Sequence, residues 1–95
     1  MDKSRFYTVK KEINGKEYTA QFSGVSTAIK ALDESLMENG QHSSEKLGQY
    51  ILKNIIVEPS GLEIDDFDTL EDFNEVTRWG RDVMYGKFRN TADGK

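Results

Sequence analysis

The chain has 95 residues, which is enough for one domain with a modest core, and 36% of them are hydrophobic. It contains no cysteine and one histidine, His42, which excludes disulfides, thiol nucleophiles and multi-histidine metal sites. No apolar run reaches the roughly 18 residues of a membrane span, and no signal-peptide pattern opens the chain. We therefore expect a small protein that remains in the cytoplasm where it is made.

The net charge of −4 is unevenly distributed along the chain. Residues 54–77 contain eight acidic residues and no lysine or arginine, whereas residues 78–95 contain five basic and two acidic residues. An acidic middle argues against a nucleic-acid surface over most of the domain. The opposite charge of the tail permits contact between copies of the chain, so the sequence is compatible with a weak homo-oligomer.

Residues 6–22 predict an antiparallel β-hairpin. Asn14-Gly15 is the preferred pair for a two-residue type I′ turn, because both positions need a positive φ. This turn creates one mainly apolar face, whose cross-strand pairs are Tyr7–Phe22, Val9–Ala20, Lys11–Tyr18 and Ile13–Lys16. The opposite face is polar, so we expect the hairpin to pack its apolar face on helices.

The first predicted helix covers about residues 26–39. Ser23 or Ser26 is its expected N-cap, and Asn39-Gly40 is its expected end. Its apolar residues recur at steps of three and four and form a narrow stripe: Val25, Ala28, Ile29, Leu32 and Leu36.

The second predicted helix covers about residues 44–56, behind a serine N-cap at position 43 or 44. Its end is ambiguous, because the run before Pro59 has no clean helical face. Either the helix continues through this run, or residues 55–57 form a third strand, and we favour the helix. Pro59 disfavours helical geometry at the residue before it, so the element ends at that point in both cases.

A loop over residues 59–68 follows the second helix. It carries three apolar side chains that we expect to fold onto the domain: Leu62, Ile64 and Phe67. We expect residues 1–5 and 90–95 to be disordered, which leaves a single α+β domain over residues 6–89.

The clearest helical pattern covers about residues 69–85, with Asp68 or Thr69 as N-cap and Gly86 just beyond the end. Apolar residues fill one half of its circumference: Leu70, Phe73, Val76, Trp79, Gly80, Val83, Met84 and Phe88. This arc is wider than the stripe of about 100° that a helix packed on a core needs. Gly80, inside the helix, indicates a close approach by another element.

The width of this arc has two interpretations. In the first, the hairpin and the loop cover both of its rims, and Trp79 is a core residue. In the second, one rim is a partner-binding patch formed by Trp79, Val83, Met84 and Phe88, because tryptophan often anchors interfaces and methionine adapts to irregular apolar partners. The residues alone leave both interpretations open.

No pattern in the sequence indicates an active site. Counted from Asp66 as an EF-hand loop, the sixth residue is Glu71 where glycine is required and the twelfth is Thr77 where glutamate is required. His42 has no carboxylate at a convincing catalytic spacing in the sequence, and no glycine-rich phosphate loop is present. We therefore expect no enzymatic activity, no metal, no cofactor and no membrane contact.

Three stretches carry a resemblance to a known family. They are NGKEYTAQF in the hairpin, IIVEPSGLEIDDFDTLEDFNEV in the acidic middle, and VMYGKFR near the end. In this order they resemble the small tail assembly chaperones of long-tailed, siphovirus-type bacteriophages and of prophages in Gram-positive bacteria. The resemblance covers about residues 6–89.

The resemblance implies a non-enzymatic role in virion morphogenesis. Chaperones of this family coat the long, apolar tape-measure protein, keep it soluble, and leave when tail-tube subunits polymerise around it. The implied location is the cytoplasm of the bacterial host, with no copy retained in the mature virion. Two alternatives belong to other classes: a phage structural protein, such as a head–tail joining or tail protein, and a small DNA-binding regulator.

Overall fold

The computed structural model describes residues 6–88 of the chain. They form a three-stranded antiparallel sheet and three helices, an α+β arrangement that begins with the expected hairpin. The elements, in chain order, are β1 (Tyr7–Ile13), β2 (Lys16–Phe22), α1 (Val25–Ser35), α2 (Ser44–Tyr50), a π-helical segment (Ile51–Ile55), β3 (Ile56–Glu58), a 3-10 turn (Ile64–Asp66) and α3 (Leu70–Met84). The predicted disordered ends, residues 1–5 and 90–95, lie outside the described residues.

The hairpin is confirmed in both turn and register. Asn14 and Gly15 have φ angles of 53° and 84°, as a type I′ turn requires, and the pairing runs from Tyr7–Phe22 to Ile13–Lys16. The rings of Tyr7 and Phe22 stack with centroids 5.1 Å apart. Four residues of the predicted apolar face are buried: Ile13, Tyr18, Ala20 and Phe22.

Helix α1 is shorter than predicted at its C-terminal end. It begins at Val25 behind Gly24, and neither predicted serine caps it, because no side chain hydrogen-bonds to its N-terminus. It ends at Ser35, since Leu36 adopts an extended backbone and pairs with His42. The predicted stop at Asn39-Gly40 therefore lies in the tight turn between Leu36 and His42.

The run from Tyr50 to Val57 combines the two alternatives of the sequence. Ser43 caps α2 by accepting a hydrogen bond from the Lys46 amide at 3.2 Å, and the chain stays helical through Ile55. The helical run thus ends close to the predicted residue 56, but the favoured alternative of a helix through residue 57 is wrong, because residues 56–58 form β3 and extend the sheet along β2.

The π-helical segment explains why this run lacks a clean helical face. Its wider turn, in which the Ile56 amide donates to the Ile51 carbonyl, brings apolar residues at unusual spacings to one side. Ile51, Leu52 and Ile55 are all buried there. The β-branched residues that follow suit an extended strand, and β2 offers them an unpaired edge.

The core lies between the sheet and the helices α2 and α3. It consists of the buried hairpin residues together with Ala28, Ala31, Ile51, Leu52, Ile55, Ile56, Phe73, Val76, Trp79, Val83 and Met84. The three apolar side chains of the loop over 59–68 pack against this cluster, as predicted. Helix α3 begins behind Thr69, whose hydroxyl accepts a hydrogen bond from the Asp72 amide at 3.1 Å.

Candidate partner-binding surface

The four residues predicted as a partner-binding patch do not form an exposed surface. Trp79 is 5% exposed, Val83 and Met84 are fully buried, and Phe88 is partly buried and packed against the core. The chain's own sheet and helices cover the rim of α3 on which these residues lie. The structure thus agrees with the first interpretation of the wide arc, in which Trp79 is a core residue. Leu70 departs from the predicted arc, because it is 73% exposed at the start of the helix.

Two glycines let α3 bury this arc on both sides. A Cβ atom on Gly80 would lie 2.5 Å from Ile51 Cγ2, so only glycine allows the π-helical segment to approach so closely. Gly86 has a φ of 84° and ends the helix, and the ring of Phe22 packs beside it. Phe88, two residues later, packs against the core.

Apart from Leu70, the most exposed aliphatic side chains of the described residues lie along α1 and at its end. Val25 is 64% exposed, Ile29 is 55% exposed and Leu36 is 52% exposed, while Leu32 is half-buried between them. The helical members lie within about 60° of arc on one side of α1, and Leu36 follows at the helix end. We call these four residues, Val25, Ile29, Leu32 and Leu36, the α1 stripe.

The α1 stripe is exposed because small residues form the core-facing side of the same helix. Ala28, Ala31 and Ser35 recur at helical spacing and are buried. Ser35 is completely buried, and its hydroxyl lies 3.2 Å from the Leu32 carbonyl and 3.1 Å from His42 Nδ1. The Ser43 amide also donates to the Ser35 carbonyl at 2.8 Å. These contacts fix the rotation of α1 and leave its larger aliphatic residues uncovered.

The α1 stripe can contribute appreciable binding free energy. Completing the burial of an aliphatic side chain that is already about half covered contributes on the order of 1–2 kcal/mol. Four such residues at steps of four, three and four match the spacing by which one helix packs on another. The arrangement suits an apolar helix as partner.

A second feature lies close to one end of the stripe. Helices α2 and α3 enclose a cleft of about 260 Å³, which we call the α2–α3 cleft. Its more buried apolar lining residues, which we call the floor, include Leu47, Ile51 and Phe73. Its more exposed polar lining residues, which we call the rim, include His42, Asn74, Arg78 and Arg81. The sequence signalled neither the cleft nor its rim, because the lining residues come from two separate stretches of the chain, residues 42–51 and 73–81.

Three acidic residues of the acidic middle, residues 54–77, form hydrogen bonds within the fold. Asp66 accepts a hydrogen bond from the Glu63 amide at 2.9 Å and so caps the 3-10 turn. Asp72 and Glu75 both accept hydrogen bonds from the side-chain amide of Asn14, and these bonds connect the hairpin turn to α3. Over residues 6–88, no group of three or more histidine, aspartate or glutamate side chains is placed to hold a metal ion.

Two tyrosines, Tyr18 and Tyr50, have a raised pKa. Burial raises the pKa of Tyr18 above its ordinary value of 10.0, and the charge of Asp72 raises it further. Burial likewise raises the pKa of Tyr50, with a contribution from Glu34. Tyr18 belongs to the hairpin core and Tyr50 to the end of α2, so neither group lies on the α1 stripe or the cleft rim.

Within the described range, no helix has the length and apolar character needed to cross a membrane. Comparison of the chain with protein-family models, with curated proteins and with solved structures found no match in any of the three. The functional argument therefore depends on the geometry of the chain itself and on the resemblance in its sequence.

Proposed function

We propose that this chain is a tail assembly chaperone that binds the tape-measure protein of a bacteriophage or prophage and keeps it soluble during virion morphogenesis. The observation that carries the proposal is the α1 stripe, a row of exposed aliphatic residues on a domain whose core is otherwise closed. A chaperone for a long apolar helix needs such a surface, and the sequence resemblance supplies the identity of the partner.

The proposed binding surface differs from the patch suggested by the sequence. Trp79, Val83 and Met84 already pack inside the domain, so binding through them would require the core to open. The α1 stripe is available without any rearrangement. In this proposal the protein acts without catalysis in the bacterial cytoplasm, and it leaves before the virion is complete.

Co-expression with the tape-measure protein from the same phage or prophage genome tests the proposal. We expect the native chain to move the tape-measure protein from the insoluble to the soluble fraction. The double variant Val25→Gln/Ile29→Gln should lose this effect, whereas Lys30→Gln, which places the same residue on the polar side of α1, should retain it. Circular dichroism of each variant verifies that the domain is folded.

Two results would refute the proposal. One is a tape-measure protein that remains equally insoluble with and without the native chain. The other is recovery of the chain at stoichiometric levels from purified virions by mass spectrometry, which would identify a structural component of the particle.

A further inference from the structure

Arg78 and Arg81 on the rim of the α2–α3 cleft have no ionic partner among residues 6–88. Two acidic residues stand at the right helical spacing to pair with Arg78, namely Glu75 and Asp82. Both are engaged elsewhere, because Glu75 accepts a hydrogen bond from Asn14 at 3.0 Å and Asp82 pairs with Lys87 at 3.3 Å.

The same cleft can also hold part of an apolar side chain. Leu47, Ile51 and Phe73 contribute to its floor, and its volume of about 260 Å³ equals roughly nine water molecules at ~30 Å³ each. That space suits one or two amino-acid side chains and is below the usual size of a cofactor site. A basic rim above an apolar floor is complementary to an acidic residue beside an apolar one.

His42 connects this cleft with the α1 stripe. It lines the cleft, and its backbone pairs with Leu36, the last residue of the stripe. Residues that face each other in an antiparallel bridge place their side chains next to each other on one side. The contact between His42 Nδ1 and the buried Ser35 hydroxyl, at 3.1 Å, holds the imidazole at this junction.

We propose that the α2–α3 cleft recognises a carboxylate on the partner helix, so that the partner lies on the α1 stripe in one direction only. The partner is thus an apolar helix with aspartate or glutamate in the turn that reaches the cleft, where Arg78 and Arg81 bind its side chain. This inference rests on the proposed function for the presence of a helix on the stripe. The carboxylate preference itself depends only on the cleft.

Two fluorescein-labelled designed peptides test the inference. Both are amphipathic helices with leucine and isoleucine along one face, and they differ only in the last turn, which carries two glutamates in one and two glutamines in the other. Fluorescence anisotropy at low ionic strength measures their Kd for the native chain. We expect the glutamate peptide to bind about tenfold more tightly, because two partly exposed arginines each contribute a modest charge-assisted contact.

Two double variants test whether the preference for the glutamate peptide arises in the cleft. Arg78→Gln/Arg81→Gln should reduce the ratio of the two Kd values to about one, whereas Lys10→Gln/Lys11→Gln, which removes the same charge from the hairpin, should preserve it. Equal binding of both peptides by the native chain, or a preference that survives loss of the two arginines, would overturn the inference.

The outcomes separate this inference from the proposed function. If Ile29→Gln weakens the binding of both peptides, but the native chain binds the two with equal Kd, the stripe binds a helix and the carboxylate site is refuted. If the glutamate preference persists while Ile29→Gln has no effect, the cleft is supported and the stripe is refuted. Two other results would overturn the inference. If the native chain self-associates and Arg78→Gln/Arg81→Gln abolishes this, the cleft binds a second copy of the chain. If the native chain binds duplex DNA tightly and the same variant does not, the cleft binds nucleic acid.

Discussion

Replacement of Gly80 by alanine tests the contact on which the packing of α3 depends. Alanine is favoured over glycine in a helix interior by about 1 kcal/mol, so an unhindered site would become more stable. At Gly80, however, the new Cβ atom would lie 2.5 Å from Ile51 Cγ2, where ordinary carbon contacts are about 3.5–4.0 Å apart. One of the two elements must move by about 1 Å.

Ile51 cannot move away from the new Cβ atom without a substantial cost in free energy. It is 1% exposed, and the Cγ2 atom is bonded directly to Cβ, so it moves only with the backbone or with an unfavourable rotamer. Overpacking of a closed core costs about 1–3 kcal/mol, and a rigid β-branched neighbour places this site near the upper end. After the gain in helix propensity, we expect Gly80→Ala to lower the free energy of unfolding by about 2 kcal/mol.

Urea denaturation followed by circular dichroism measures this difference. Asn74→Ala on the exposed side of α3 is the control, and it should be neutral or slightly stabilising. Ile51→Leu moves the branch away from Cβ at nearly constant volume, so Gly80→Ala should cost less in the Ile51→Leu background than alone. If Gly80→Ala stabilises the protein as much as the control does, the close approach of Ile51 is not what requires glycine.

Two further predictions concern the hairpin. Asn14→Gly keeps the positive φ of the turn but removes the hydrogen bonds to Asp72 and Glu75, so urea denaturation should show a loss of about 0.5–1 kcal/mol; unchanged stability would mean that these bonds contribute nothing. Because burial and Asp72 raise the pKa of Tyr18, the unfolded chain loses this proton first, and stability should fall as pH rises above about 10. Tyr18→Phe should reduce that fall, and an identical pH profile for the variant would contradict the assignment.

The turn chemistry of the hairpin could be predicted from the sequence because its determinants are local. Asn14-Gly15 fixes the turn type, and the turn type fixes the register of every pair in β1 and β2. The start of α3 was predictable for the same reason, since Thr69 stands directly before the helix it caps. Both features need only residues that are neighbours in the chain or across one strand pair.

The point at which the helical run after α2 gives way to β3 was not predictable from local pattern. Residues 55–57 contain only isoleucine and valine, which are compatible with a buried helix and with a strand. Ile55 stays helical, whereas residues 56 and 57 form a strand because they lie along the free edge of β2, about 35 residues earlier in the chain. Local propensity carries no information about such an edge.

The orientation of α1 shows a different kind of limit. The apolar residues that recur at helical spacing are expected to face the core. In this helix the largest of them are Val25, Ile29 and Leu32, so the rule predicts that these three are buried. The core instead takes Ala28, Ala31 and the hydroxyl of Ser35, because α1 packs closely against its neighbours and only small side chains fit there. The local rule fails at an element whose larger aliphatic residues remain exposed. Departures of this kind are expected at functional surfaces. For this reason the proposed partner is assigned to α1 and not to the Trp79 side of α3, whose residues are buried in the core.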